Sequence, residues 1–279
     1  MIPAPFDYQR AESVDQAIGF LGEDEDAKLL AGGHSLLPLM KLRLARPSVL
    51  IDIGRLADLS YEREDGDHVA IGAMTRHHDV HSSPVLSQHC ALLAHTAGLI
   101  GDPQVRHMGT IGGSVAHGDP ASDIPTILLA LDAEIVAQGP NGSRTIPASS
   151  FFKGLFETDL SPQEVLTEIR VPKLGTGAGW SYQKFHRRAQ DWAMVGVAAL
   201  VQRANGSSKA AVAFTNMGET PLRASAVEQA VSGGADPAEA SQQAAVGTNP
   251  PSDTFATADY RRELAKVLTR RALEEALAG

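Results

Sequence analysis

Val14, Ala17, Ile18 and Leu21 recur at helical spacing behind Ser13, so the pattern predicts a capped helix over 13–21. A brief apolar run at 27–31 stops at Gly32-Gly33, the outline of a buried strand entering a tight turn. A short helix is expected over 36–44 ahead of Pro47, then strands at 49–53 and 69–71. Apolar positions at 85, 86, 92, 93, 97 and 100 predict one helix across 85–100 with Cys90 inside it. Asp123-Ile-Pro opens another helix through residue 131, with proline in the first turn, where its missing N–H costs nothing. Strands follow at 134–138 and 165–171.

The glycine-rich stretch LGTGAGW at 174–180 reads as a domain junction. Beyond it, 182–185, 195–203 and 210–215 are strand-like at hairpin-compatible spacing, and 227–246 and 260–277 are alanine-rich and helical. A small antiparallel sheet with helices is the simple reading of that end. The division expected is 1–176 and 177–279.

Composition narrows the chemistry. The chain is 43% hydrophobic, enough for packed cores, and no apolar run approaches the ~18–20 residues of a membrane span. The first residues lack a basic and apolar leader pattern, so a cytoplasmic location is expected. With 33 acidic against 24 basic residues the net charge is −9, and no lysine or arginine block offsets it, which disfavours nucleic acid as a partner. One cysteine, Cys90, excludes an internal disulfide and any iron–sulfur cluster held by this chain alone.

Two glycine motifs carry the candidate chemistry: Ala31-Gly32-Gly33-His34-Ser35, and Thr110-Ile111-Gly112-Gly113-Ser114 followed by HGDPASD. Paired glycines let successive amides turn toward one point, and Ser35, Thr110 and Ser114 add hydroxyl donors, so two such loops fit a diphosphate held from both sides. Neither is G-x-G-x-x-G, and no P-loop occurs. His77, His78 and His81 lack the carboxylate or cysteine frame of a metal site and read as a solvated loop or helix start, so no metal ligand is assigned. His117, Asp119 and Asp123 lie together after the second motif; Asp123 suits either a nucleotide-facing acceptor or a helix N-cap.

AGGHSLLPLMKLRLARP at 31–47, TIGGSVAHGDPASDIP at 110–125 and KFHRRAQDWAMVGVAA at 184–199 resemble the FAD-binding medium subunits of molybdenum hydroxylases. Within that family the pattern is nearest the carbon monoxide dehydrogenase branch, and the resemblance covers essentially the whole chain. It implies an α+β fold: a PCMH-type FAD-binding domain of two α/β subdomains, then a small C-terminal domain of three-stranded antiparallel sheet plus helices. It implies that Ala31–Ser35 and Thr110–Ser114 wrap the FAD diphosphate from two sides. Asp123 would lie near the adenosine half, Ile100 and Leu166 would line the flavin or adenine pocket, and Lys184 would reach the flavin ring. Trp192 would stand where relatives place an aromatic over the isoalloxazine, either covering it or packing under its own loop.

The same resemblance implies a role in electron transfer. Electrons would pass from molybdenum-pterin cofactor on a large subunit, through two [2Fe–2S] clusters on a small subunit, to FAD and then an external acceptor. The assembly would be a dimer of heterotrimers, with contact at the inner membrane face only through the acceptor. No catalytic residue of this chain is expected. Carbon monoxide is the expected substrate of the whole complex, with a purine, aldehyde or N-heterocycle as alternative. The residues alone also fit a free-standing flavin oxidoreductase, with flavin linked to His34, or a nucleotide-binding adaptor without flavin.

Overall fold

A computed structural model of the chain describes residues 2–175, 177–204 and 207–279. Thr176, the last residue of the expected first domain, lies outside the described residues. Three strands open the fold, β1 (Asp7–Arg10), β2 (Lys28–Leu30) and β3 (Val49–Asp52), in a parallel sheet of order β1-β3-β2. Helix α1 (Val14–Glu23) crosses between β1 and β2, capped by Ser13 and burying Ala17, Ile18 and Leu21 as its spacing requires. Helix α2 (Leu36–Lys41) is shorter than expected and follows the first glycine motif.

The second subdomain is built on β4 (Glu62–Asp65), β5 (His68–Gly72), β6 (Glu134–Gly139), β7 (Gly142–Pro147) and β10 (Val165–Pro172), with a small hairpin β8 (Phe152–Gly154) and β9 (Glu157–Thr158). The five-stranded order is β4-β5-β10-β6-β7, antiparallel throughout, so a late strand fills the centre. Between β5 and β6 runs a helical excursion: α3 (His77–Ser82), α4 (Pro84–His89), α5 (Ala91–Gly98), α6 (Pro103–Met108), α7 (Ile111–His117) and α8 (Asp123–Ala130). The single helix expected over 85–100 is therefore two. Cys90 sits at the joint, with φ −151° and ψ 58°, and not inside a helix. Helix α4 buries only Leu86, whereas Leu92, Leu93, Ala94, Thr96 and Ala97 bury α5 nearly all round, so the chain turns to carry α5 into the core.

The C-terminal domain carries β11 (Ala178–Phe185), β12 (Val195–Ala204), β13 (Ser207–Thr215) and β14 (Leu222–Arg223) in that spatial order, antiparallel. The expected three-stranded sheet gains this short fourth strand, which the two residues Leu222 and Arg223 are too few to announce. The helical run expected over 227–246 is also divided: α9 (Ser225–Ser232) ends at Gly233-Gly234, and Asp236 caps a new turn by accepting from Glu239 N at 2.8 Å. A single long helix (Ala258–Ala278) closes the chain.

Strand alternation joins the two domains. On β12, Val195, Val197, Ala199 and Val201 face a C-terminal core with Leu268 and Leu273 of the last helix. Ala198 and Leu200 point the other way, into the core that holds Ile124, Ile127 and Leu128 of α8. All eight residues of α8 are buried, so this helix is shared between the second subdomain and the C-terminal sheet. Among the described residues no helix is long and apolar enough to cross a membrane. Gly179 on β11 lies where an added Cβ would stand 1.8 Å from the Ala276 carbonyl oxygen. Gly179→Ala is thus expected to pry the last helix off the sheet and cost about 1–3 kcal/mol or more, read as a lower urea midpoint; an unchanged midpoint would contradict this packing.

Candidate functional site

The two glycine motifs meet. The first follows β2 as a tight turn, with Gly33 at φ +76°, a conformation that side chains other than glycine rarely adopt. Gly32 lies so close to the segment before the second motif that an added Cβ would stand 2.2 Å from the Met108 carbonyl oxygen and 2.8 Å from Gly109 Cα. A Cβ built on Gly113 would come 3.7 Å from that of Ala31. The sheet of the first subdomain and the helices of the second are therefore in contact at 31–32 and 108–113.

The motifs offer different groups. Among the described residues, no protein acceptor takes a hydrogen bond from the amides of Gly32, Gly33, His34 or Ser35. Unspent donors on successive residues of one turn are what a backbone anion nest requires. The second motif is not a loop, contrary to expectation. Thr110 caps α7, accepting from Gly113 N at 3.1 Å, and the amides of Ile111, Gly112 and Ser114 are spent on Thr75, Ala73 and Thr110 carbonyls. Its glycines serve packing: a Cβ at Gly112 would stand 2.6 Å from Ala73, and one at Gly113 would stand 2.7 Å from the capping Thr110 hydroxyl. What remains is the hydroxyls of Ser114, partly exposed, and of Thr110, itself 2% exposed, with Ile111 buried behind them.

His77 underlies this motif. It starts α3 as one of the expected readings had it, but it is 2% exposed and not solvated. Its amide donates to Gly109 O at 3.0 Å and its Nε2 lies 3.2 Å from Ser114 Oγ. Burial, reinforced by the nearby Arg106 guanidinium, lowers its pKa to about 4. Of the three residues after the motif, His117 lies against Phe156 with the Asp119 carboxylate near enough to oppose the lowering of its pKa by burial, Asp119 accepts from Ala121 N within its own turn, and Asp123 faces the other domain.

Asp123 is not the N-cap of α8; that position is Ser122, and neither side chain caps. Instead the Asp123 carboxylate, 4% exposed, accepts from Tyr182 Oη at 2.6 Å and from Lys184 Nζ at 2.7 Å. Tyr182 Oη also lies 3.1 Å from Thr215 Oγ1, which donates to Thr126 Oγ1 at 2.8 Å. This chain of polar groups runs from α8 into β11 and β13, entirely buried, with each group partnered. Burial raises the Asp123 carboxyl above the usual carboxylate range, with the Lys184 ammonium opposing, and burial next to that carboxylate raises Tyr182. Lys184 spends a second proton on Leu99 O at 2.9 Å, which leaves it one of three.

The segment from Leu99 to Gly109 connects this latch to the motifs. Arg106 donates to Ile100 O at 2.9 Å, Asp102 caps α6 through Val105 N at 2.9 Å, and α6 ends at the Met108 carbonyl beneath Gly32. Ile100 is half-buried against the main core, and Leu166 is fully inside that core on β10. Trp192 is 70% exposed, which excludes its packing under its own loop. Asn216 Nδ2 donates to Ala193 O at 2.9 Å and Arg261 donates to Met194 O, so the base of that loop is fixed while the indole stands out.

The arrangement fits a dinucleotide with a diphosphate at its middle. The four amides and two hydroxyls suit the anion, while Lys184's remaining proton and the exposed Trp192 suit a flavin ring. The sequence did not disclose His77, Tyr182, Thr126 or Thr215 as parts of this arrangement. Only Tyr182, two residues before Lys184 on one strand face, had a spacing signal.

Residues 4–174 match the family described as FAD binding domain in molybdopterin dehydrogenase, and 180–276 match the CO dehydrogenase flavoprotein C-terminal domain. The chain is 46% identical to the carbon monoxide dehydrogenase medium chain of Hydrogenophaga pseudoflava over 100% of this chain and 99% of that one. It is 41% identical to the glyceraldehyde dehydrogenase medium chain of Sulfolobus acidocaldarius, covering 99% of each. A solved structure of carbon monoxide dehydrogenase from Hydrogenophaga pseudoflava, lacking the Mo-pyranopterin moiety of its cofactor, superposes with a TM-score of 0.97 at 46% identity, over 100% of this chain and 99% of that chain.

Two outcomes follow from the geometry. Lys184→Met strands a buried carboxylate and should cost about 3–5 kcal/mol in urea unfolding, with Asp123→Asn added to it restoring part; a loss below 1 kcal/mol would deny the latch. The folded His77 ring takes a proton only near pH 4 and the unfolded ring near 6.5, so the unfolded chain binds the extra proton between them. Its contribution is complete above about pH 6.5 and is lost as pH falls toward 4. From pH 7.5 to 5.5 the native chain should therefore lose about 1–1.5 kcal/mol more than His77→Gln, and equal losses would contradict the buried neutral ring.

Proposed function

The chain belongs to the family of FAD-binding domains in molybdopterin dehydrogenases, and from that membership we propose that it is the FAD-carrying medium subunit of a molybdenum-containing hydroxylase. Its partners are a large subunit with the molybdenum-pterin cofactor and a small subunit with two [2Fe–2S] clusters, assembled as a dimer of heterotrimers. Carbon monoxide is the substrate of the whole complex, supported by the full-length 46% identity to a carbon monoxide dehydrogenase medium chain. The 41% identical relative named for glyceraldehyde favours an aldehyde as the second reading, because the chain that meets substrate is not this one. The observation that carries the proposal is the pair of glycine motifs in contact, with four unspent amides on one and two hydroxyls on the other.

Residues 1–176 form the FAD-binding domain and 177–279 the domain that closes on it. FAD, when bound, supplies the redox chemistry, taking electrons that arrive from the iron–sulfur side and passing them to an external acceptor. The protein's share is position and field. Ala31, Gly32, Gly33, His34 and Ser35 hold one side of the diphosphate, the former with its small methyl and the rest with amide donors. Thr110 and Ser114 supply hydroxyls from the other side, and Ile111, Gly112 and Gly113 hold them at that distance.

Lys184, kept in place by Asp123 and the Leu99 carbonyl, presents one N–H where negative charge on the flavin ring system is stabilised. Asp123 would act through Lys184, whose ammonium its carboxylate holds, on the adenosine side of the cofactor. Ile100 and Leu166 would shape the wall behind, and Trp192 would cover the flavin ring. A single buried cysteine, whose pKa burial raises to about 12, gives this chain no thiolate set for a cluster, in keeping with clusters on a partner.

Co-purification from the native source tests the assignment. Two partner chains, iron, molybdenum and one FAD per copy of this chain are expected, and a lone flavoprotein without metal would overturn it. Gly32→Ala, introduced into the same complex, should reduce FAD content at least tenfold because the new methyl meets backbone and not a flexible side chain. Full occupancy in that variant would move the diphosphate away from this turn.

A further inference from the structure

His77 holds an unusual position for a residue outside the ligand-facing surface. Its ring is wedged under the second motif: a Cβ at Gly109 would stand 2.9 Å from its Cδ2, and Nε2 lies 3.2 Å from Ser114 Oγ. Its other ring nitrogen, Nδ1, is buried and has no hydrogen-bond partner among the described residues. A buried N–H with no acceptor is rarer and costlier than a buried lone pair with no donor. The neutral ring has one proton to place, so the proton belongs on Nε2 and Nδ1 is bare.

That tautomer decides what Ser114 can do. With Nε2–H donating to Ser114 Oγ, the serine's own hydrogen cannot point at His77 and is free for another acceptor. With the opposite tautomer Ser114 would donate to Nε2 and show only lone pairs to an approaching anion, which would repel it. Ser114 is partly exposed on the first turn of α7, one residue after Gly113, which abuts Ala31 of the first motif. We propose that His77 is a positioning residue that, by donating its Nε2 proton to Ser114, fixes the Ser114 hydroxyl as a donor to the FAD diphosphate. The inference rests on the reading that the two glycine motifs hold that diphosphate. Burial supports it from a second side, since a ring that stays neutral well below pH 7 has no second proton to give Nδ1.

The tautomer is measured on the full chain with ring nitrogen-15 histidine, by long-range proton–nitrogen correlation, the His77 signals being assigned by their loss in His77→Gln. A protonated Nε2 with a bare Nδ1 at pH 7 is expected; a protonated Nδ1 would overturn the proposal. FAD dissociation constants on the assembled complex give the second readout. Ser114→Ala and His77→Leu should each weaken FAD about tenfold, the double variant no further, and His77→Gln, which keeps an N–H near Ser114, should recover most of the loss. Losses that add in the double variant would overturn the coupling. If Gly32→Ala weakens FAD while His77→Leu and Ser114→Ala do not, the His77 proposal fails alone. If all three leave FAD affinity unchanged, the diphosphate reading fails first. Should His77→Leu not fold, the tautomer measurement decides.

Discussion

The backbone of Gly32 rests on the Met108 carbonyl, and the architecture of the site depends on that contact. Glycine alone allows it, since any Cβ there would stand 2.2 Å from the oxygen. The contact brings a turn from the parallel sheet against a helix end from the antiparallel sheet, two subdomains with separate cores. Because the second motif spends its amides on its own helix and on Ala73 and Thr75, the first motif must carry the amide donors. The two glycine pairs look alike in sequence and do different physical work. One leaves its backbone amides without protein acceptors; the other lets a helix start come close to Ala73 and to the first motif.

A second constraint fixes the C-terminal domain to this junction. Asp123 and Lys184 are an ion pair with both side chains almost wholly removed from water, at 5% and 3% exposure. Such a pair returns little net stability against an apolar replacement, yet losing one member is costly, which suits a latch better than a source of stability. Tyr182, Thr215 and Thr126 complete it with hydroxyls, so no group is left unpaired along the line. Through Leu99, Ile100 and Arg106 the latch continues to the Met108 carbonyl. Lys184 is thus placed relative to the glycine motifs by a run of short contacts, and the domain that carries it is placed with it.

Sequence periodicity disclosed the elements that bury one face cleanly. Helix α1, with Val14, Ala17, Ile18 and Leu21, and the alternating strands β12 and β13 were legible for that reason. Strand β1 was not, because Asp7, Tyr8 and Arg10 are exposed on an edge and carry no alternation. The turn at Cys90 was hidden because apolar positions on both sides keep helical phase, while only the tertiary core requires the change of direction. The TIGGS segment resembled a loop since two glycines are poor helix formers; close approach to Ala73 outweighed that preference. Within the site, the motif residues were legible from glycine and hydroxyl chemistry. The buried network was not, since Asp123, Tyr182 and Thr215 are scattered over 93 positions and no local pattern joins them.

A crystal structure of the assembled complex loaded with FAD decides where the diphosphate sits. Its oxygens are expected at about 2.7–3.1 Å from amides within the Gly32–Ser35 turn and from the Thr110 or Ser114 hydroxyls, with the Asp123–Lys184 pair intact. A diphosphate seated elsewhere, with those four amides still lacking an acceptor, would contradict that placement.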